Sequence, residues 1–360
     1  MTKKIFSFAI IIGLLCSFSI KAQSLDETLS RLSSTVGKAY VNPVISAFGS
    51  NLNSGWVSQF PGATKLGFHI DLKIVAMGSF FSKDVKNFTS SGTFNFNSDE
   101  TDKLLQNSNY TPATIGQQNY NTLKQTIMNT PLDVSFNGPT IIGSKNDYLK
   151  VNFPGKTITS GQTQYTVNPY TLSVTDVKGF LDEIPALPTA TAQLTVGTIM
   201  GTNVAVRYFP EVNIKDMGKF TFWGIGIVHN PAVWLVNPLP VDISIAYFYQ
   251  KLKVGSIFET NASQVGVYAS KTFGSTVSIT PYFGLTTETS KTNVKYNYHF
   301  ISTIGNTQVE STAQIAFESE GQNTGSAVVG FNLHLAAVNI NADYKMAKTN
   351  TLSAGISFGF

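Results

Sequence analysis

The chain has 360 residues, 13% of them charged and 42% apolar, with a formal net charge of +4. An average soluble domain carries roughly 25% charged residues, so polarity here comes from Ser, Thr, Asn, Gln and Gly, a balance that suits lipid outside and water within. Nucleic acid is excluded as a partner, because Lys3, Lys4 and Lys21 fall in a removable segment and their loss leaves only +1.

Residues 1–22 read as an export signal. Lys3 and Lys4 are its basic start, Ile5 to Ile20 its apolar run, and Ala22 the small residue before a cut at Gln23. The run has 16 residues, short for a membrane helix, which needs about 20. Cys16 is the only cysteine, and Leu15 stands before it where a lipidation site wants a small residue. The exported chain therefore has no disulfide or thiolate metal site.

Residues 23–62 predict two short helices. Leu25, Leu29, Leu32, Val36 and Tyr40 form one apolar stripe, with Ser24 as cap and Glu27 at capping-box spacing. Pro43 starts a second helix through Val44, Ile45 and Phe48. The pair either packs on the periplasmic rim or forms a hatch inside a barrel.

Strands with a period of two follow at 64–80 and throughout 190–360. Phe68, Ile70, Leu72 and Ile74 alternate with His69, Asp71 and Lys73; Ile340, Ala342 and Tyr344 alternate with Asn339, Asn341, Asp343 and Lys345. The last ten residues alternate without a miss and end on Phe360. Between them, 81–190 is polar and irregular. It predicts long extracellular loops, a helix near 118–129, and strands near 131–137, 146–153 and 163–173.

So many amphipathic strands with so few charges predict an all-β fold, a transmembrane antiparallel β-barrel spanning 63–360, since hydrocarbon tolerates no unpaired strand edge. Fourteen strands are expected, or twelve. Closure pairs the terminal strand with the first, near Phe68. Ile356, Phe358 and Phe360 resemble the signal that outer-membrane barrels present to the barrel-assembly machinery.

Alternation turns His69, Asp71, Lys73, Arg207, Asp242, His334, Asp343 and Lys345 into the lumen. They are either a solvated, mutually paired lining or a selectivity lining that binds an acidic head group through Lys73, Arg207 or Lys345. Lys251 and Lys253 share the outward parity of Tyr247 and Tyr249, where they reach either water or the phosphates of outer-membrane lipopolysaccharide. Pro281 interrupts an otherwise regular strand, as a bulge or as a break in the wall.

Enzyme signatures are missing. No G-x-S-x-G, H-E-x-x-H or P-loop occurs, and the histidines at 69, 229, 299 and 334 are scattered. The sequence points to no catalytic, cofactor-binding or metal residue and calls for no cofactor.

"TAQLTVGTIMGTNVAVRYFP" (191–210), "FWGIGIVHNPAVWLVNPLPVDISIAYFYQKLKVG" (222–255), "NADYKMAKTNTLSAGISFGF" (341–360) and "NLNSGWV" (51–57) resemble an uncharacterised family of Bacteroidota outer-membrane β-barrels. That family is distantly similar to the long-chain fatty-acid transporters of the outer membrane. The resemblance implies a 14-stranded barrel with an N-terminal hatch, passing a hydrophobic small molecule into the membrane. Such a transporter is one expectation; a surface-interaction barrel acting through 81–190 is a second, and an outer-membrane lipid hydrolase a third. The first requires an apolar pocket between hatch and wall, the second a packed lumen.

Overall fold

A computed structural model describes residues 34–57, 59–182, 184–214, 218–236, 239–304 and 307–359. The expected signal segment 1–22 and the terminal Phe360 lie outside the described residues.

The first element is helix α1 (Ser34–Leu52). A non-helical stretch to residue 61 leads to strand β1 (Leu66–Phe80). Next come β2 (Asn87–Phe94), α2 (Ser98–Asn107), α3 (Pro112–Ile115), α4 (Gln117–Met128), β3 (Leu132–Pro139), β4 (Leu149–Phe153), β5 (Lys156–Ser160), β6 (Thr163–Val167) and β7 (Tyr170–Val174). The chain continues as β8 (Ala186–Ile199), β9 (Thr202–Ile214), β10 (Gly218–His229), β11 (Asp242–Val254), β12 (Phe258–Ser270) and β13 (Phe273–Gly274). It ends with β14 (Val277–Ile304), β15 (Thr307–Glu320), β16 (Gly325–Leu335), β17 (Val338–Met346) and β18 (Thr351–Gly359).

Ten strands form a closed antiparallel barrel: β1, β8, β9, β10, β11, β12, β14, β16, β17 and β18. The ring is sealed where β18 pairs with β1, from Asp71↔Gly359 to Ser79↔Thr351. Each strand holds out apolar side chains that are about half exposed, among them Leu72, Leu194, Ile225, Val267 and Ile356. Closure leaves no unpaired edge beneath this belt. Leu352 and Phe358 face outward while Ser353 and Ser357 are fully buried inside, which accounts for the regular alternation at the chain's end.

Ten strands, rather than fourteen or twelve, make the ring, for two reasons. The strands expected within 131–173 do form, as β3, β4, β6 and β7, but outside the barrel. Within 190–360, the two alternating stretches 276–286 and 292–302, which read as separate strands, are parts of the single 28-residue β14, because no Gly or Pro breaks "TTETSKTN". The outer part of β14 rises past the ring and pairs with β15 as a hairpin.

Residues 81–185 are a folded cap, not loops. Its four-stranded sheet runs β2-β3-β4-β7 beside the β5–β6 hairpin. A reciprocal capping box between Asn97 and Glu100 starts α2. Phe96, Leu104, Leu123, Ile127, Phe136 and Val151 form a core that is continuous with α1, through Val36, Tyr40, Ile45 and Phe48, and with the barrel mouth at Phe222, Leu252 and Phe258. The apolar faces of β3 and β4 are thus covered by protein instead of lipid.

A single helix runs through the expected break and joins Val36 and Tyr40 of the first expected helix to the second, with Pro43 inside it; Ser24, Leu25, Glu27, Leu29 and Leu32 lie outside the described residues. A helical proline cannot bond the carbonyl four residues back and crowds the preceding turn. On that turn Tyr40 O accepts from Ile141 N of the cap at 3.0 Å, so the interruption becomes a docking point.

Orientation follows from the connections. At one end β8–β9 and β16–β17 are joined by residues 200–201 and 336–337; the opposite end bears the cap and the β14–β15 hairpin. Outer-membrane barrels keep short turns on the periplasmic side and long insertions outside. By that rule the cap end is assigned to the outside and the opposite end to the periplasm.

Candidate functional site: a filled lumen

Residues 50–61 run down the barrel axis, and the wall holds their backbone. Helix α1 ends at the mouth, so its last carbonyls have no helical partner and carry the negative end of the helix dipole. One inward cation meets the helix end and two meet the carbonyls that follow it. Lys345 Nζ donates to Ser50 O at 2.8 Å, Arg207 Nη1 to Ser54 O at 3.0 Å, and Lys73 Nζ to Gly55 O and Val57 O at 2.9 and 3.2 Å.

Amides complete the grip. Gln264 Nε2 donates to Asn53 O at 3.0 Å and Gln193 Nε2 to Trp56 O at 2.9 Å. Near the periplasmic end, Asn203 Nδ2 reaches Gln59 O at 3.3 Å and Asn230 Nδ2 reaches Pro61 O at 3.0 Å. At the mouth, Ser50 Oγ bonds Thr349 O and the Thr351 hydroxyl, and Asn51 Nδ2 bonds Leu187 O. A segment with no ladder of its own is satisfied by side chains around it.

Among the described residues six charged side chains are buried: Asp71, Lys73, Arg207, Glu288, Asp343 and Lys345. All face the lumen, three of each sign. Lys345 pairs with Glu288 at 3.0 Å. Asp343 accepts from Tyr282 Oη at 2.9 Å and from Ser353 Oγ. Asn339 Nδ2 lies 3.4 Å from Asp71 Oδ2. Mutual compensation of this kind offsets a burial cost of several kcal/mol per ion.

Aromatic rings fill the remaining width. Trp56 stacks on Phe248 with centroids 4.6 Å apart, and Phe60 packs against Tyr268 and Tyr282. The void bounded by Trp56, Val57, Gln264, Tyr268, Tyr282 and Lys345 measures about 10 Å³, which is the space of one water.

The sequence-predicted lumen residues separate into two groups. Asp71, Lys73, Arg207, Asp343 and Lys345 come together around the central segment. Asp242, His334 and His69 sit nearer the periplasmic rim and are half-buried; Asp242 Oδ1 accepts from Asn230 at 3.0 Å, His334 Nδ1 bonds Asn339 Oδ1 at 2.6 Å, and His69 Nε2 has no hydrogen-bond partner. The cations expected to bind an acidic head group bind backbone carbonyls instead.

Pro281 does not open the wall. The β14–β16 register passes through Pro281↔Phe331 without a shift. On the other side Pro281 stands between the end of the β12 ladder at Ser270↔Tyr282 and the β13 pair Phe273↔Ile279, and its carbonyl accepts from Lys271 N at 3.3 Å. The missing N–H falls where one ladder hands over to the next, so neither a bulge nor a gap is needed.

Lys251 and Lys253 lie on the outer face, as the parity of Tyr247 and Tyr249 requires. Both ion-pair with Glu259 of β12, Lys253 at 2.9 Å, so a lipid phosphate would have to share them. Ile356 and Phe358 are exposed on the outer belt.

Sequence reasoning missed Glu288, Gln193, Gln250 and Gln264, and missed the plug residues Asn53, Ser54 and Trp56. The first four had a signal: each sits on the inward parity of its strand.

No curated protein matches this chain. Solved structures similar to it are outer-membrane barrels. The N-terminal β-barrel domain of Pseudomonas aeruginosa OprF is 15% identical, covering 44% of this chain and 94% of its own, with a TM-score of 0.18. OmpT of Vibrio cholerae is 8% identical, covering 82% and 98%, with a TM-score of 0.19. The transport unit of the Escherichia coli autotransporter AIDA-I is 8% identical, covering 88% and 98%, with a TM-score of 0.25. The full chain, residues 1–360, matches the family of unknown function DUF6588, and it belongs to that family.

Proposed function

We propose that this protein is a closed outer-membrane barrel that holds its folded cap at the cell surface and acts there by contact, not by permeation. The carrying observation is the grip on residues 50–57: side chains or carbonyls of seven ring strands, β1, β8, β9, β12, β14, β17 and β18, bond that stretch. The void beside Trp56, Gln264 and Tyr282 has room for about one water. The continuous core between cap, α1 and barrel mouth supports the same reading, because opening the lumen would break the cap's own interior.

Transport of a hydrophobic or amphiphilic molecule is the competing reading, drawn from the fatty-acid-transporter resemblance. It requires the plug to leave and an apolar pocket to form where polar and aromatic side chains now meet. Two measurements decide. Full-length protein in planar bilayers is expected to give no stepwise conductance. Cells with and without the protein are expected to take up a labelled long-chain lipid equally. Uptake that falls when the gene is removed overturns the contact reading.

A further inference from the structure

The direction of the plug has a topological result. Asn51 bonds Ser79 and Leu187 at the extracellular mouth. Ten residues later, Pro61 is held by Asn230, just past the periplasmic end of β10. Eleven residues reach at most about 35–40 Å when extended, enough to cross an apolar band of about 25 Å. Helix α1 lies above the mouth: Tyr40 Oη donates to Lys178 O of the cap at 2.9 Å, and Gly37 abuts the Tyr296 ring on the risen part of β14. Ser34, Thr35 and Lys38 are exposed on this outer assembly.

We infer that residues 51–61 cross the membrane inside the barrel from outside to inside, and that the amino end of α1 is presented to the cell exterior. The ten ring strands alone would leave both ends of the barrel chain on the periplasmic side. The threaded segment moves the amino side of Ser34 to the opposite face. It is a second surface-accessible element beside the cap, carried on the part of the chain most firmly held by the lumen. The inference rests on the outward orientation of the cap, and the experiment separates the two.

Single-cysteine variants of the full chain, Ser34→Cys, Lys38→Cys, Lys156→Cys in the cap and Lys65→Cys at the periplasmic rim, are labelled on intact and on lysed cells with a membrane-impermeant maleimide. The parent chain is the blank. Ser34→Cys and Lys38→Cys are expected to label on intact cells as fully as Lys156→Cys, with Lys65→Cys labelled only after lysis. Labelling of Lys156→Cys on intact cells with neither Ser34→Cys nor Lys38→Cys reacting overturns the threading and leaves the cap orientation standing. Labelling of Lys65→Cys but not Lys156→Cys on intact cells overturns the orientation itself.

Discussion

Arg207 lies with its guanidinium carbon 3.9 Å from the centroid of the Trp56 ring while its Nη1 bonds Ser54 O and its Nε bonds Gln193 Oε1 at 2.8 Å. A wall residue thus holds the plug by a ring face and a carbonyl together. Only a planar cation can do both, since its donors lie in the plane and its face is free to stack.

Replacing this group should loosen the plug before the barrel. Arg207→Met keeps apolar contact with Trp56 but leaves Ser54 O and Gln193 Oε1 without their charged donor. A cost of about 2–5 kcal/mol is expected. Arg207→Lys should recover only part of it, for want of the fork. The check is the temperature at which the folded band converts to the unfolded band on gels in detergent; equal temperatures for all three proteins would refute the assignment.

Lys345 and Glu288 form a buried ion pair at the mouth, and Lys345 also holds Ser50 O. Breaking either side leaves an uncompensated charge, so Lys345→Met and Glu288→Gln should each destabilise by about 3–5 kcal/mol. The double variant Lys345→Met/Glu288→Gln should cost less than the sum. Denaturant titrations of the four proteins form the cycle, and strict additivity would show that the pair is not coupled.

Gly49 sits where α1 presses on β14. A Cβ built there would come 2.0 Å from Ser290 Oγ and 2.6 Å from Ser290 Cβ. Gly49→Leu should therefore lift the helix from the mouth at a cost of about 1–3 kcal/mol, and should raise proteolysis within 34–61. Pairing it with Ser290→Gly should relieve part of the damage; no relief would place the strain elsewhere.

In the cap, Tyr120 Oη donates to Asp102 Oδ1 at 2.6 Å, and Lys124 binds the same carboxylate. Burial, then the hydrogen bond and charge of Asp102, push the Tyr120 phenol up to about 12. A pKa raised by folding contributes stability that is whole below the ordinary phenol range, near 10, and is lost as pH climbs toward 12. Cap stability should fall across that window, and Tyr120→Phe should flatten the fall. Matching pH profiles for the two proteins would remove Tyr120 as the cause.

The barrel was legible because one rule, the side-chain period of two, separates oil from water along each strand. Leu72 out and Lys73 in, or Ile356 out and Ser357 in, need no long-range knowledge. The cap was misread by the same rule: Val134 and Phe136 alternate with Asp133 and Ser135 just as a membrane strand would, and nothing local says whether lipid or the cap's own core covers them. Strand number inherited that error. The plug was illegible for a different reason. Asn53 to Pro61 have no period at all, and most of the wall groups that hold them lie far away in sequence, so the segment is defined by what surrounds it. Proline misled in two ways: Pro43 reads as a helix start and lies inside one helix, while Pro281 reads as a bulge or break and falls where one ladder hands over to the next.

Lys345 and Ser50 are 295 positions apart, and that separation sets an order of events. A ribosome makes the plug before β17 and β18, yet the seat of the plug exists only when those strands have joined β1. Loop closure over such distances is slow. The plug must therefore wait, the apolar side chains of its helix uncovered, for β17 and β18 to arrive, and the time that closure takes sets how long Val44, Ile45 and Phe48 stay exposed.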